Sequence, residues 1–241
     1  MNIQLEVIAF NIESCVIAEQ AGANRIELCD NPGEGGTTPS YGFIKQARSK
    51  TNIDLFPIIR PRGGDFLYTE DEFQAMQYDV EWCKKLGCDG IATGMLTENG
   101  DVDVERTQIL VKLAYPMSVT FHRAFDRTND PFKAMEDIIH SGCERILTSG
   151  QCPTAIEGQE LIASLVKKAD NRIIIMPGSG VRSDNVNELI QNTGVSEIHS
   201  SARTKIKTSM KFIAPKMNES LDQVMLDQIE VEKIVAQIRM L

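Results

Sequence analysis

"SVTFHRAFDRTNDPFKAMEDIIHSGCERILTSG", residues 118–150, holds a short β run, a polar loop, a helix and a second β run in one stretch. Val119 and Phe121 alternate with Thr120 and His122, the two-residue period of a strand. Arg123 and Asp126 follow at once, and a helix begins near Asp130, a good N-cap residue. It ends near Gly142, where a left-handed residue is wanted, and "RILTSG" (145–150) starts the next strand. A strand, a helix and a strand in this order predict parallel pairing through a right-handed crossover.

The unit recurs along the chain. β runs are predicted at 4–10, 25–30, 54–60, 90–94, 117–123, 145–150, 172–178 and 196–202. Helical stretches separate them, including 69–87, 130–142 and 182–194, with Thr69, Asp130 and Ser183 as N-cap candidates. Gly22, Gly87, Gly142 and Gly194 lie just past helix ends, and a strand starts about three residues after each. Eight such units are the number that closes a TIM barrel. A doubly wound open sheet is the rival, but no G-x-G-x-x-G turn follows the first strand. The expected architecture is therefore a single α/β domain over 1–241, with a (β/α)8 barrel over about 3–203. A polar tail over 204–221 and an amphipathic C-terminal helix over 222–241 complete it.

The chain of 241 residues has a formal charge of −9, which argues against nucleic acid and anionic membranes as partners. No run of about 18 apolar residues is present, so no span is predicted. "MNIQLEVIAF" has no basic n-region and reads as a first strand, not a signal peptide. Six cysteines without a C-x-x-C pair read as free thiols in a reducing cytoplasm.

In this fold the chemistry sits at the C-terminal ends of the strands, above an interior packed with branched apolar side chains. Polar residues gather there repeatedly. Glu27 and Cys29 end strand 2, Arg60 and Arg62 end strand 3, and His122, Arg123 and Asp126 end strand 5. Ser149 ends strand 6, and His199 and Ser201 end strand 8. Glu27, His122 and Asp126 are the candidates for proton transfer, since buried carboxylates and imidazoles are tuned toward neutral pH. A structural ion pair between Glu27 and Arg60, and a local pair between Arg123 and Asp126, are the alternatives. Glu6, low on strand 1, is read as structural. Gly178, Ser179 and Gly180 form a glycine-rich turn after strand 7, before a helix N-terminus, the usual place for a phosphate in a barrel.

Cys15 and Cys83 lie within helices, and Cys88 and Cys143 precede strands 4 and 6 on the bottom rim. Only Cys29 and Cys152 fall on the upper rim, after strands on opposite sides of the barrel, too far apart for one metal with bonds near 2.3 Å. Cys152 with Met176 or His122 is a more compact soft-ligand group, of a kind suited to Cu(I).

"RIELC" (25–29), "EGGTTPS" (34–40), "IIRPRGGDF" (58–66), "VTFHRAFD" (119–126), "RILTSG" (145–150) and "EIHSSAR" (197–203) closely resemble the CutC-type copper homeostasis family. The resemblance implies a cytoplasmic TIM barrel, usually a homodimer, linked by name to copper and in some members to Cu(I) binding. Family members with a copper site carry a cysteine in strand 1, and this chain has Ile8 in that place. Two functions are thus expected. One is copper handling, with Cu(I) held through Cys29 or Cys152. The other is acid/base catalysis on a small anion such as a phosphorylated metabolite, with Arg60, Arg62, Arg123, Ser149, the turn at 178–180, His199 and Ser201 holding it.

Overall fold

All eight expected β runs form strands in the computed structural model, which describes residues 3–241. In chain order the elements are β1 (Gln4–Ala9), α1 (Ile12–Gln20), β2 (Arg25–Leu28), α2 (Tyr41–Lys50), β3 (Asp54–Pro57), α3 (Glu70–Lys85), β4 (Gly90–Thr93) and α4 (Val104–Ala114). They continue with β5 (Ser118–Phe121), α5 (Pro131–Ser141), β6 (Arg145–Thr148), α6 (Gln159–Ala169), β7 (Ile174–Pro177), α7 (Val186–Thr193) and β8 (Glu197–Ser200). Parallel ladders run β3-β2-β1-β8 and β4-β5-β6-β7. An Ile58–Ala92 bridge joins β3 to β4, and β7 packs against β8, so the strands close into a TIM barrel.

Local chemistry explains the helix ends. Thr69 and Glu72 form a reciprocal capping box on α3, and Asp130 accepts from the amides of Phe132 and Lys133 on α5. Ser183 does not cap α7. Its amide and hydroxyl donate to Glu230 instead, and the helix starts three residues later behind Asn185. The tail also differs from expectation. Arg203–Ile206 (β9) pairs antiparallel with Gln223–Leu226 (β10), and the closing helix, α8 (Gln228–Ile238), begins only after that hairpin. Every residue of β9 is exposed, so backbone pairing alone makes the strand and no apolar alternation betrays it. α8 packs against α7 and α1 and takes the eighth place in the outer ring.

Strand parity sets the layers. Leu5, Val7, Ile26 and Leu28 belong to the main apolar core with helix residues such as Cys15, Ala18, Ile44 and Ala47. Each fully buried Leu or Ile there contributes about 2 kcal/mol. The alternate positions face the barrel axis, and its lower half is not apolar. Glu6, Arg25, Glu197 and Arg145 fill it as a balanced network, with Arg25 bonded to both carboxylates and Arg145 to Glu197. The Phe56 ring carries both guanidiniums, at 4.9 and 5.6 Å. This charged floor replaces the branched apolar layer expected from the fold alone.

Candidate active site

Above the charged floor a cavity of about 200 Å³ opens where the strands end, lined by Glu27, Arg60, His122 and His199 among others. A wider hollow of about 700 Å³ adjoins it and shares Gly35, Arg60, Phe66 and Arg123.

Register explains how the first acid/base group forms. Glu6 of β1 pairs with His199 of β8, and Ile8 one pleat higher pairs with Glu27 of β2. His199 Nδ1 lies 2.7 Å from Glu6 Oε1, and its Nε2 lies 3.9 Å from Glu27 Oε2. Burial opposes a charge on Glu6, but Arg25 and His199 outweigh it and hold that carboxyl down at about 2. Burial also opposes protonation of His199, but the bond to Glu6 and the nearby Glu27 and Glu6 charges prevail and raise it. At Glu27 the opposing interactions, from His199, Cys29 and Arg25, do not prevail. Burial, with a contribution from the Glu6 charge and against the pull of His199, pushes it up to about 7. Its partner is therefore His199, and Arg60 takes no part in an ion pair with it.

His122 stands apart from this pair. Its Nδ1 accepts from the Ala124 amide at 3.2 Å and caps the 3-10 turn that follows β5. Burial, then the positive charges of Arg60 and Arg123, push the ring down to about 3. At neutral pH His122 is an uncharged donor, and the base role expected of it does not suit this environment.

Asp126 braces a loop. It accepts from the amides of Ser149 and Gln151, from Thr148 Oγ1 and from Arg123 Nε at 2.5–3.2 Å, which occupies its lone pairs. Ser149 is buried in the same knot, accepting from Arg123 Nη2 at 2.8 Å and donating to the Cys152 carbonyl at 2.6 Å. Neither has the free valence of a catalytic or binding group.

Arg60 holds two loops through the carbonyls of Glu34, Gly36 and Gly64, at 2.6, 2.8 and 2.9 Å. Arg62 lines neither hollow, because Glu72 and Asp65 claim its guanidinium. The anion clamp expected of this arginine pair is thus reduced to whatever Arg60 has left.

The turn after β7 does reach the cavity. A Cβ at position 178 would lie 2.6 Å from Leu147 Cδ1 and 3.3 Å from the His199 side chain, so glycine lets the turn pass without either side chain shifting. Ser179 and Gly180 both have positive φ, +79° and +74°, which strains the serine. Ser179 is held there by its hydroxyl on the Pro153 carbonyl and by the Ala155 amide on its own carbonyl. The amides of Ser179 and Gly180 have no acceptor among the described residues and sit at the cavity wall with Ser201. The helix N-terminus expected directly behind them begins only at Val186, so the donors at this wall are the turn amides and not a helix end.

The thiols are not assembled. Cys29 is fully buried beneath Gly36, where an added Cβ would lie 3.1 Å from Sγ, and burial with the Glu27 charge pushes its thiol well up. Cys152 lines only the wider hollow, and Met176 Sδ accepts from Arg25 Nη2 at 3.3 Å in the charged floor. Among the described residues no group of three or more His, Cys, Asp or Glu side chains is arranged to hold a metal ion. This donor set does not fit Cu(I), which wants accessible thiolate or thioether sulfur.

Sequence reasoning missed Glu6 as a partner of the site, and Phe66 and Arg203 as parts of its wall. Parity would have placed Glu6 on the inner face with Ile8. Nothing local marks Phe66 or Arg203, which reach the cavity from loop and hairpin.

A family model described as the CutC family matches residues 3–204. The CutC family protein of Chromobacterium violaceum is 53% identical over 208 residues, 86% of this chain and 84% of that one. Its counterpart in Bacteroides thetaiotaomicron is 48% identical over 238 residues, 97% and 94% of the two chains. The solved CutC structure from Streptococcus agalactiae has a TM-score of 0.79 at 36% identity, covering 83% of this chain and 98% of that one. An aldolase, QR15, shares the fold alone, with a TM-score of 0.63 at 16% identity over 83% of this chain and 90% of that one. From the first strand to the hairpin after the eighth, the match is continuous, and the chain belongs to the CutC family.

Proposed function

We propose that the cavity is the active site of an enzyme that moves protons on a small anionic metabolite. The observation that carries this reading is Glu27, a buried carboxyl held at about 7 against His199 in a concave site. A group with that pKa serves equally as acid and base near neutral pH. The free amides of Ser179 and Gly180, with Arg203 in the same wall, supply the positive field for an anion.

The test uses inorganic phosphate as the probe. Millimolar phosphate is expected to raise the melting temperature by several degrees, as a ligand in roughly hundredfold excess over its Kd contributes about 2.7 kcal/mol. Arg203→Ala should lose most of that protection. No protection by phosphate or sulfate would defeat the reading.

A copper role enters through the Streptococcus agalactiae relative, provisionally described as a copper homeostasis protein. Copper would then be cargo, not a reactant. With Cys29 closed over and Cys152 alone in the wider hollow, anaerobic Cu(I) titration against a competing chelator should give binding no tighter than one exposed thiol. Tight one-to-one binding that is lost in a Cys29→Ser/Cys152→Ser double variant would reverse this.

A further inference from the structure

Two buried N–H groups at the cavity have no acceptor among the described residues, His122 Nε2 and Arg60 Nε. Both side chains are more than nine-tenths buried, and both line the cavity that holds Glu27. Unpaired buried donors are rare and call for a partner. The His122 proton is fixed on Nε2 because Nδ1 is occupied by the Ala124 amide. The ring's position is equally fixed. A Cβ at Gly94 would lie 2.7 Å from Nδ1, so only glycine admits the imidazole there. Phe66 completes the enclosure, its ring 5.0 Å from the Arg60 guanidinium and 5.1 Å from the His122 ring. A neutral donor beside a fixed cation, in a dry wall, is suited to a negative charge that develops on oxygen during reaction.

We infer that His122 Nε2–H and Arg60 Nε–H form an oxyanion site, and that the substrate carries a carbonyl group with a hydrogen on the adjacent carbon as well as its anionic end. This rests on the acid/base reading of Glu27. In the step, the Glu27 carboxylate takes the proton from that carbon. The C–H electron pair becomes a C=C bond, and the carbonyl π pair moves onto oxygen, where the two N–H groups hold it. Return of the proton to the same carbon restores the carbonyl. Where that carbon also bears a hydroxyl, the hydroxyl proton passes to the first oxygen and the carbon-bound proton returns to the former carbonyl carbon, which leaves the isomeric carbonyl. The balance therefore needs no oxidant or reductant. The reaction class is enolisation, as in isomerases and epimerases of small phosphorylated carbonyl compounds. His122 is thus a donor to the substrate oxygen and never the base.

The experiment compares two probes by calorimetry at pH 7.5. One is 2-phosphoglycolohydroxamate, a planar enediolate mimic, and the other is glycerol 3-phosphate, which has the phosphate but no carbonyl oxygen. The parent should bind the hydroxamate at least about a hundredfold more tightly, the lower end for mimics of a transition state. His122→Asn should close most of that gap, since its Oδ1 can still accept from Ala124 but no donor remains at the Nε2 position. His122→Gln, whose amide nitrogen stands near that position, should keep much of it. Equal binding of both probes to the parent overturns the oxyanion site and leaves the anion site standing. Binding of neither overturns the acid/base reading and this inference together. The parent comparison decides the matter even where a variant fails to fold.

Discussion

Glu197→Ala is expected to destabilise the protein by about 3–5 kcal/mol, the range for removing one partner from a buried ion network. Glu197 accepts from Arg145 Nε at 2.6 Å and Nη2 at 3.1 Å, and also from Arg25 Nη2. Without it Arg145 keeps only a 3.3 Å bond to Thr120 Oγ1 and the Phe56 ring, while its charge stays buried. Glu6 still partners Arg25, but one carboxylate cannot neutralise two guanidiniums. Urea denaturation measures the loss, and thermal melting should fall by about 10 °C. The exposed pair Arg172–Glu136 is the control, where Glu136→Ala should cost under about 1 kcal/mol. A loss at Glu197 no larger than the control would mean that water reaches the barrel floor. The floor also predicts an acid limb. Glu6 titrates at about 2 in the fold against 4.5 unfolded, so its contribution is present above pH 4.5 and lost as pH falls through 2.

Glu27→Gln runs in the opposite direction. Burial raises Glu27 from 4.5 to about 7, so folding favours its protonated form. A raised carboxyl contributes stability below its unfolded pKa, and that contribution is lost as pH rises from 4.5 through 7. Above pH 7 the parent holds an ionised carboxylate that it would rather keep neutral. Glutamine is neutral at every pH. The variant should therefore match the parent near pH 4 and exceed it by about 3 kcal/mol at pH 8, because each tenfold change in proton affinity is worth about 1.4 kcal/mol. Urea unfolding at the two pH values measures this with no substrate in hand. A variant less stable than the parent at pH 8 would make Glu27 a structural partner of His199 and remove it from the proposed chemistry. Stability given up at one carboxyl is the usual mark of a group kept for reaction.

Much of the fold could be read from neighbours in the chain. The strand at Val119–Phe121, the helix capped by Asp130 and the glycine at 142 depend on residues within a few positions of one another. Period, capping and left-handed glycines act at that range, so eight β/α units and barrel closure follow from them. The same local view placed Glu27, His122, His199 and the turn at 178–180 on the upper face. What each does there depended on closure. Glu6 and His199 lie 193 positions apart and meet because β1 pairs with β8, which turns a floor residue into the partner of the site. Asp126 and Arg62 lost their expected roles because loops from other units fold onto them and fill their valences. Pairing energies between distant charges, and the burial that moves Glu27 and His122 in opposite directions from their free values, are properties of the assembled barrel and have no local signature in the chain.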